Sequence, residues 1–226
     1  MIKLAVAAVT ALLLCGAPFA AFAQSEAGPE AQPPVAQPPV AQTPLGESQP
    51  ETEDVIAPLP RDATEQAREA HLDQLFGRLA MADNPDWERV QRQIWAAWNH
   101  SGSPSMDFLA HRADQAMAEK DYDAALAFLN DLVRLAPEFA EGWNKRATLH
   151  FVLEDYGKSL DDIARTLKLE PRHFGALSGL GIILDRIGDQ TGALEAYRRA
   201  VEIHPNLPGA QDGIRKLSKE VEGRRL

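Results

Sequence analysis

Three prolines, Pro137, Pro171 and Pro205, stand 34 residues apart, and other columns keep the same period. Asp121, Asp155 and Asp189 align, as do Leu126, Leu160 and Leu194. Leu135, Leu169 and Ile203 each precede a proline by two positions, and Tyr122 matches Tyr156. Independent columns at one fixed spacing define an internal repeat. That constrains the fold strongly, because a unit of this length buries its apolar face only against its neighbours and the units must stack.

Each unit reads as two helices, with apolar residues three or four positions apart. In the first unit Leu109, Ala113, Ala116 and Met117 form one stripe, and Leu126, Leu129, Leu132 and Val133 the next. The second unit has Trp143, Ala147, His150 and Phe151, then Leu160, Ile163 and Leu167. The third has Leu177, Leu180, Gly181 and Leu184, then Leu194, Tyr197, Ala200 and Val201. A small residue recurs at 113, 147 and 181, where it lets paired helices approach closely. The proline ends the second helix and turns the chain into the next unit. The alternating pattern of a β-strand is not found, so the reading is all-α.

The units resemble tetratricopeptide repeats over residues 106–205. The family pattern W-x2-L-G-x2-Y, A-x3-F, P is met in the third unit by Leu177, Leu180, Gly181 and Leu184, then Ala193 and Tyr197, then Pro205. The second unit supplies Trp143, Arg146, Ala147 and His150, then Ser159 and Ile163, then Pro171. In the first, Leu109, Arg112, Ala113 and Ala116 are followed by Ala125, Leu129 and Pro137. The expected architecture is an α-solenoid of tetratricopeptide-type helical hairpins with a C-terminal capping helix. Three repeats occupy 105–206. Residues 63–104, with stripes at Leu72, Leu75, Phe76 and Leu79 and at Val90, Ile94, Trp95 and Trp98, read as a degenerate repeat or a helical cap. Residues 207–226 carry the capping helix and tail, with Ala210, Ile214, Leu217 and Val221 on one stripe.

The pattern also sets expectations at the seams. Trp143 and Tyr197 should be largely buried. Arg112 and Arg146 replace a family leucine, and a buried guanidinium must be paired or reach solvent. An inter-repeat ion pair with an acid such as Asp131, Asp161 or Asp162 is one reading, and a ligand-facing cation pair is the other.

Ahead of the helices, residues 1–23 have the pattern of a secretory signal peptide. Lys3 precedes an apolar run from Leu4 to Leu14, Gly16 and Pro18 break it, and Ala21-Phe22-Ala23 gives a small-x-small cleavage site. An uncleaved anchor is the alternative, since 4–23 is long enough to span a bilayer. Cleavage removes Cys15, the chain's one cysteine. Residues 24–62 are rich in proline and acids, repeat Ala-Gln-Pro-Pro-Val at 31–35 and 36–40, and read as a disordered acidic linker. The expected location is periplasmic or secreted.

The net charge of −10 argues against nucleic acid, and against a membrane surface once the signal is cleaved. Gly175, Gly179 and Gly181 lack the strand and Lys-Ser/Thr pair of a phosphate loop. His71, His100, His111, His150, His173 and His204 show no ligand spacing. The reading is therefore no enzyme, no cofactor and no metal, with Trp87, Trp95, Trp98 and Trp143 as core. The resemblance implies that first helices line a concave face that binds a protein or peptide partner. It places Asp114, Asn144, Phe151, Asp185 and Arg186 there as partner-binding residues. The Lys/Asn set with which some family members clamp a terminal carboxylate is missing. The function expected is an exported interaction module or scaffold, the alternative a membrane-anchored structural subunit of an envelope assembly. The residues assign no oligomeric state.

Overall fold

A computed structural model describes residues 65–223 of the protein, so the segments 1–23 and 24–62 lie outside the described residues. The described residues form α1 (Glu65–Leu79), α2 (Trp87–Trp98), α3 (Pro104–Ala118), α4 (Tyr122–Leu135), α5 (Ala140–Val152), α6 (Tyr156–Leu169), α7 (Phe174–Arg186), α8 (Gln190–Ile203) and α9 (Pro208–Gly223). They contain no strand. Consecutive helices from α3 to α9 pack on one another, and the first helices α5 and α7 also touch. The chain is an all-α helical-repeat solenoid.

The aligned aspartates build the turn inside each hairpin. Asp121, Asp155 and Asp189 cap α4, α6 and α8 by accepting from the backbone N–H of Ala124, Lys158 and Gly192. Such a cap satisfies a donor that the helix leaves open, worth about 1 kcal/mol. The residue before each cap is left-handed: Lys120 at φ 60°, Glu154 at φ 59° and Gly188 at φ 88°. Only the third turn has the residue that adopts this conformation without steric cost.

Tyr197, 5% exposed, shows why small residues recur in the first helices. Its ring lies between Gly181 of α7 and Gly213 of α9, where an added Cβ would come within 2.6 Å and 2.5 Å of ring atoms. Ala210 and Leu217 of α9 are buried in the same core, so α9 covers the last repeat. The side chain of Val221 lies outside the described residues.

The α1–α2 hairpin docks far along the chain. Its Leu75, Phe76, Leu79, Val90, Ile94 and Trp98 join the core of Phe174 and Leu177. The docking runs over the turns after α6 and α8. Arg172 bonds Asp73 at 2.6 Å, His204 bonds Gln91 at 2.7 Å, and Asn206 donates to the Ala82 carbonyl at 3.0 Å.

Trp143 departs from its expected burial. It is only half-buried, its indole N–H donates to the Pro137 carbonyl at 2.9 Å, and the guanidiniums of Arg146 and Arg165 lie 4.9 Å and 5.8 Å from the ring. Two cations occupy the place of apolar cover, and their heads keep water near. Arg146 is ion-paired, but within its own repeat and not between repeats as expected: it grips Asp162 of α6 at 2.8 Å and 2.7 Å, because that acid faces it across the hairpin, and across the seam it reaches only the neutral Asn130 of α4 at 2.9 Å. Arg112 forms no such pair. It is exposed, its guanidinium lies 5.5 Å from the Phe128 ring centre, and it makes no ion pair among the described residues.

These packings predict opposite outcomes for similar substitutions. Gly213→Ala pushes a methyl into the Tyr197 ring and should destabilise by about 1–3 kcal/mol. Gly77→Ala in α1 meets nothing within 4 Å and should stabilise by about 0.5–1 kcal/mol. Thermal melts check both, at roughly 2–4 °C per kcal/mol for a domain of this size.

Candidate functional site

The first helices form a row tied by side chains from successive repeats. Lys145 of α5, 3% exposed, donates to both carboxylate oxygens of Asp114 on α3 at 3.0 Å. Lys145 also lies 3.7 Å from Glu141, whose side chain is fully buried. Asn144 donates to Glu141 at 3.2 Å. At the far end, Lys216 of α9 bonds Asp185 of α7 at 2.8 Å.

Glu141 reaches the next repeat through His173, whose Nε2 lies 3.0 Å from Glu141 Oε2. His173 Nδ1 accepts from the Ala176 N–H at 3.0 Å and so caps α7. An accepting Nδ1 puts the proton on Nε2, which donates to the carboxylate. The same ring stacks on Trp98 of α2, with centroids 4.2 Å apart and planes 8° from parallel. Trp95 meets His173 edge-on and sits against Gly175, where a Cβ would be 2.6 Å from the indole. Burial opposes the charge on Glu141. Hydrogen bonds from His173 and Asn144 and the Lys145 cation outweigh it, and hold the carboxyl below its ordinary range.

This network divides the first-helix face. Towards the N-terminal ends of α5 and α7 the face is closed: Glu141, Asn144 and Ser178 are all buried. Asn144, expected on the open face, is 9% exposed and engaged by Glu141. Asp114 is partly exposed but committed to Lys145, and Asp185 is committed to Lys216. Towards the C-terminal ends the face is open. The exposed Arg186 guanidinium lies 5.2 Å from the centre of the half-buried Phe151 ring, and Tyr156 packs on that ring at 5.8 Å. Phe151, Thr148 and Ile182 line one end of a shallow depression of about 60 Å³, which runs back between α5 and α7 to Asn144 and Gly175. Of the residues expected to converge, the structure brings together Phe151 and Arg186, with Asp185 beside them.

A second cavity, of about 670 Å³, lies between the α1–α2 hairpin and the turns after α4 and α6. His71, Leu72, Trp98, Phe139 and Leu169 line it. The sequence carries no signal for it, because it is made by the docking of a hairpin on residues about 100 positions away. No group of three or more His, Cys, Asp or Glu among the described residues could hold a metal ion.

The tetratricopeptide repeat family profile matches residues 144–208. A TPR repeat-containing protein of Rhizobium etli is 43% identical over 155 residues, which cover 68% of this chain and 76% of that protein. The chain belongs to the tetratricopeptide-repeat family. Protein bimA of Emericella nidulans is 26% identical over 177 residues, 72% of this chain and 22% of that protein. Small glutamine-rich tetratricopeptide repeat-containing protein 2 of Saccharomyces cerevisiae is 30% identical over 95 residues, 42% of this chain and 28% of that protein. The chain thus spans less than a third of these two relatives. Among solved structures, the Sgt2 TPR domain from Aspergillus fumigatus matches at TM-score 0.51 and 24% identity, covering 54% of this chain and 83% of that one. The first TPR of Spaghetti (RPAP3), bound to the HSP90 peptide SRMEEVD, matches at TM-score 0.50 and 20% identity, covering 52% and 93%. Both likenesses concern the fold.

The hairpin dock has a pH dependence that can be measured. His204 is fully buried against Phe174 and Trp87, and burial pushes its pKa from 6.5 down to about 4. The folded state then resists a proton that the unfolded chain accepts. Stability should fall as pH drops from about 6.5 to about 4, by roughly 3 kcal/mol at most, and this contribution should level off below that. Melting temperatures across that window should fall less steeply in His204→Gln than in the unsubstituted protein. Equal slopes would exclude His204 as the titrating group.

Proposed function

We propose that the protein is an exported interaction module that binds a peptide or protein partner through the open half of its first-helix face. Phe151 and Arg186 are the anchors. The observation that carries this reading is their pairing: an aromatic ring and an exposed guanidinium from successive repeats, above a shallow apolar depression. Aromatic and Arg side chains commonly dominate binding energy at protein interfaces, and a solenoid offers its partner an extended surface. The family supports the kind of partner, as does the peptide bound to the neighbouring solved repeat domain. The guanidinium, with the ring beneath it, suits a segment that carries an acidic group beside an apolar side chain. Asp114 and Asp185, each held by a lysine, border the surface and shape it.

Export rests on the pattern of residues 1–23, with the Pro-rich stretch 24–62 as a spacer that gives the body reach. If the segment is kept, the protein is instead a membrane-anchored subunit of an envelope assembly, a reading favoured by the apolar run of 4–23. Among the described residues, no helix is long and apolar enough to cross a membrane. Intact mass of the protein from its native envelope separates the two readings. A chain starting at Gln24 is expected, and one retaining Met1 to Ala23 in the membrane fraction would overturn export as a soluble module.

Binding is tested by capturing the partner from the native envelope with the full body as bait, then measuring affinity for variants. Phe151→Ala and Arg186→Ala should each weaken binding about tenfold or more, a loss of about 1.4 kcal/mol. Arg186→Ala should leave the melting temperature almost unchanged, because Arg186 is exposed. A variant lacking residues 24–60 should bind normally. If that deletion abolishes binding while the Phe151 and Arg186 variants bind as well as the original, the Pro-rich segment is the ligand and the helical body its support.

A further inference from the structure

The cavity beneath the α1–α2 hairpin has a wall that mixes apolar surface with unmet polar groups. Leu72 of α1, Ala97 of α2, Phe139 in the turn after α4 and Leu169 at the end of α6 line it and are only half-buried. Trp98 lines it too and is 7% exposed, yet its indole N–H has no hydrogen-bond partner among the described residues. His100, also on the wall, holds Asp107 through Nδ1 at 2.7 Å, while its buried Nε2 has no partner among them. A buried polar atom without a partner costs free energy. Both nitrogens therefore favour an occupant that brings hydrogen-bonding groups as well as apolar ones.

That chemistry is a peptide's. An indole N–H needs an acceptor and a neutral Nε2 needs a donor, and a backbone carries both. Grooves lined by aromatic rings take proline-containing segments in extended form. The chain holds such a segment at the edge of the cavity. Residues 55–60, outside the described residues, read Val-Ile-Ala-Pro-Leu-Pro and carry no charge. Pro58 and Pro60 fix their own φ and disfavour helix at Ala57 and Leu59, so docking has less chain entropy to overcome. Residues 61–64 join this run to α1 and can span about 14 Å. The first turns of α1 already border the cavity, with Arg68, His71 and Leu72 on its wall. The Arg68 guanidinium would lie 2.9 Å from a Cβ added at Gly102, so the start of α1 stands beside the chain leaving α2.

We infer that the cavity beneath the α1–α2 hairpin is a docking site for an extended, proline-containing segment, and that residues 55–60 of the same chain fill it. Val55, Ile56 and Leu59 supply the apolar groups that Leu72, Phe139 and Leu169 call for. The backbone carbonyls of the run supply acceptors for the Trp98 N–H. The short tether decides between this segment and an outside peptide of the same chemistry, because it holds the run at an effective concentration of millimolar order. An outside peptide enters only by displacing it. The inference does not depend on binding at Phe151 and Arg186.

The test compares the full chain with its Ile56→Asp, Leu59→Asp double variant, which alters no residue of the described helices. In the nitrogen-15 spectrum the Trp98 indole signal is assigned by its loss in Trp98→Phe. In the double variant the Trp98 indole N–H should exchange with water at least tenfold faster than in the unsubstituted chain. The Trp87 indole, which packs on His204 and does not line the cavity, should be unchanged. A second measurement needs no substitution in the helical body: a synthetic peptide of residues 51–62 is titrated into both chains. It should bind the double variant at least tenfold more tightly than the unsubstituted chain, where the tethered copy competes. Equal affinity for the two would show a cavity open to outside peptides and overturn the inference. So would a peptide that binds neither chain, or a Trp98 N–H indifferent to the double substitution.

Discussion

The joint at Glu141, His173 and Trp98 holds the architecture together. One imidazole does three things: it caps α7, donates to a fully buried carboxylate on α5 and stacks on an indole of α2. A helix cap is worth about 1 kcal/mol, a hydrogen bond to a charged group about 1.5–3 kcal/mol and an aromatic pair about 0.5–1.5 kcal/mol. These contributions share one ring and act as a unit. A carboxylate buried this deeply is tolerable only because Lys145, Asn144 and His173 surround it, and removing one partner from such a set leaves an uncompensated charge. The joint ties two repeats and the N-terminal hairpin into one body.

That joint also sets which part of the first-helix face is open. By engaging Glu141 and Asn144 it closes the half of the first-helix face nearest the proline turns and leaves the half carrying Phe151 and Arg186 open. The protein gives up part of the extended surface its repeats would offer. It gains a fixed relation between the remaining surface and the hairpin, and a second cavity beneath the hairpin.

The repeat itself was legible from the sequence because it is written in local residues. The aspartate column became three helix caps, and the prolines became the inter-repeat turns. Ala113 and Ala147 are buried, and Gly181 is a close approach under Tyr197. What could not be read was long-range. Nothing in the spacing of Trp95 and Trp98 says that they meet His173 and Phe174, more than 70 residues away. Trp143 was expected in the core because the family pattern has an aromatic there, yet arginines at 146 and 165 changed its surroundings. Asn144 has the helical register of an exposed residue, and it is the buried Glu141 three positions earlier that draws it inward. Arg146 and Arg112 occupy the same repeat position with different fates, because position 162 is an acid where position 128 is a phenylalanine.

The most direct test of the joint is amide hydrogen exchange on His173→Asn. Asparagine can still cap α7 but can neither stack on Trp98 nor reach Glu141 as the imidazole does. The account predicts that α1 and α2 lose protection together while α3 and α4 keep theirs, since the hairpin would lose its anchor and the first repeat would not. Unchanged protection across α1 and α2 would show that the apolar contacts of Phe76, Ile94 and Phe174 hold the hairpin alone, and would contradict the central role given to His173.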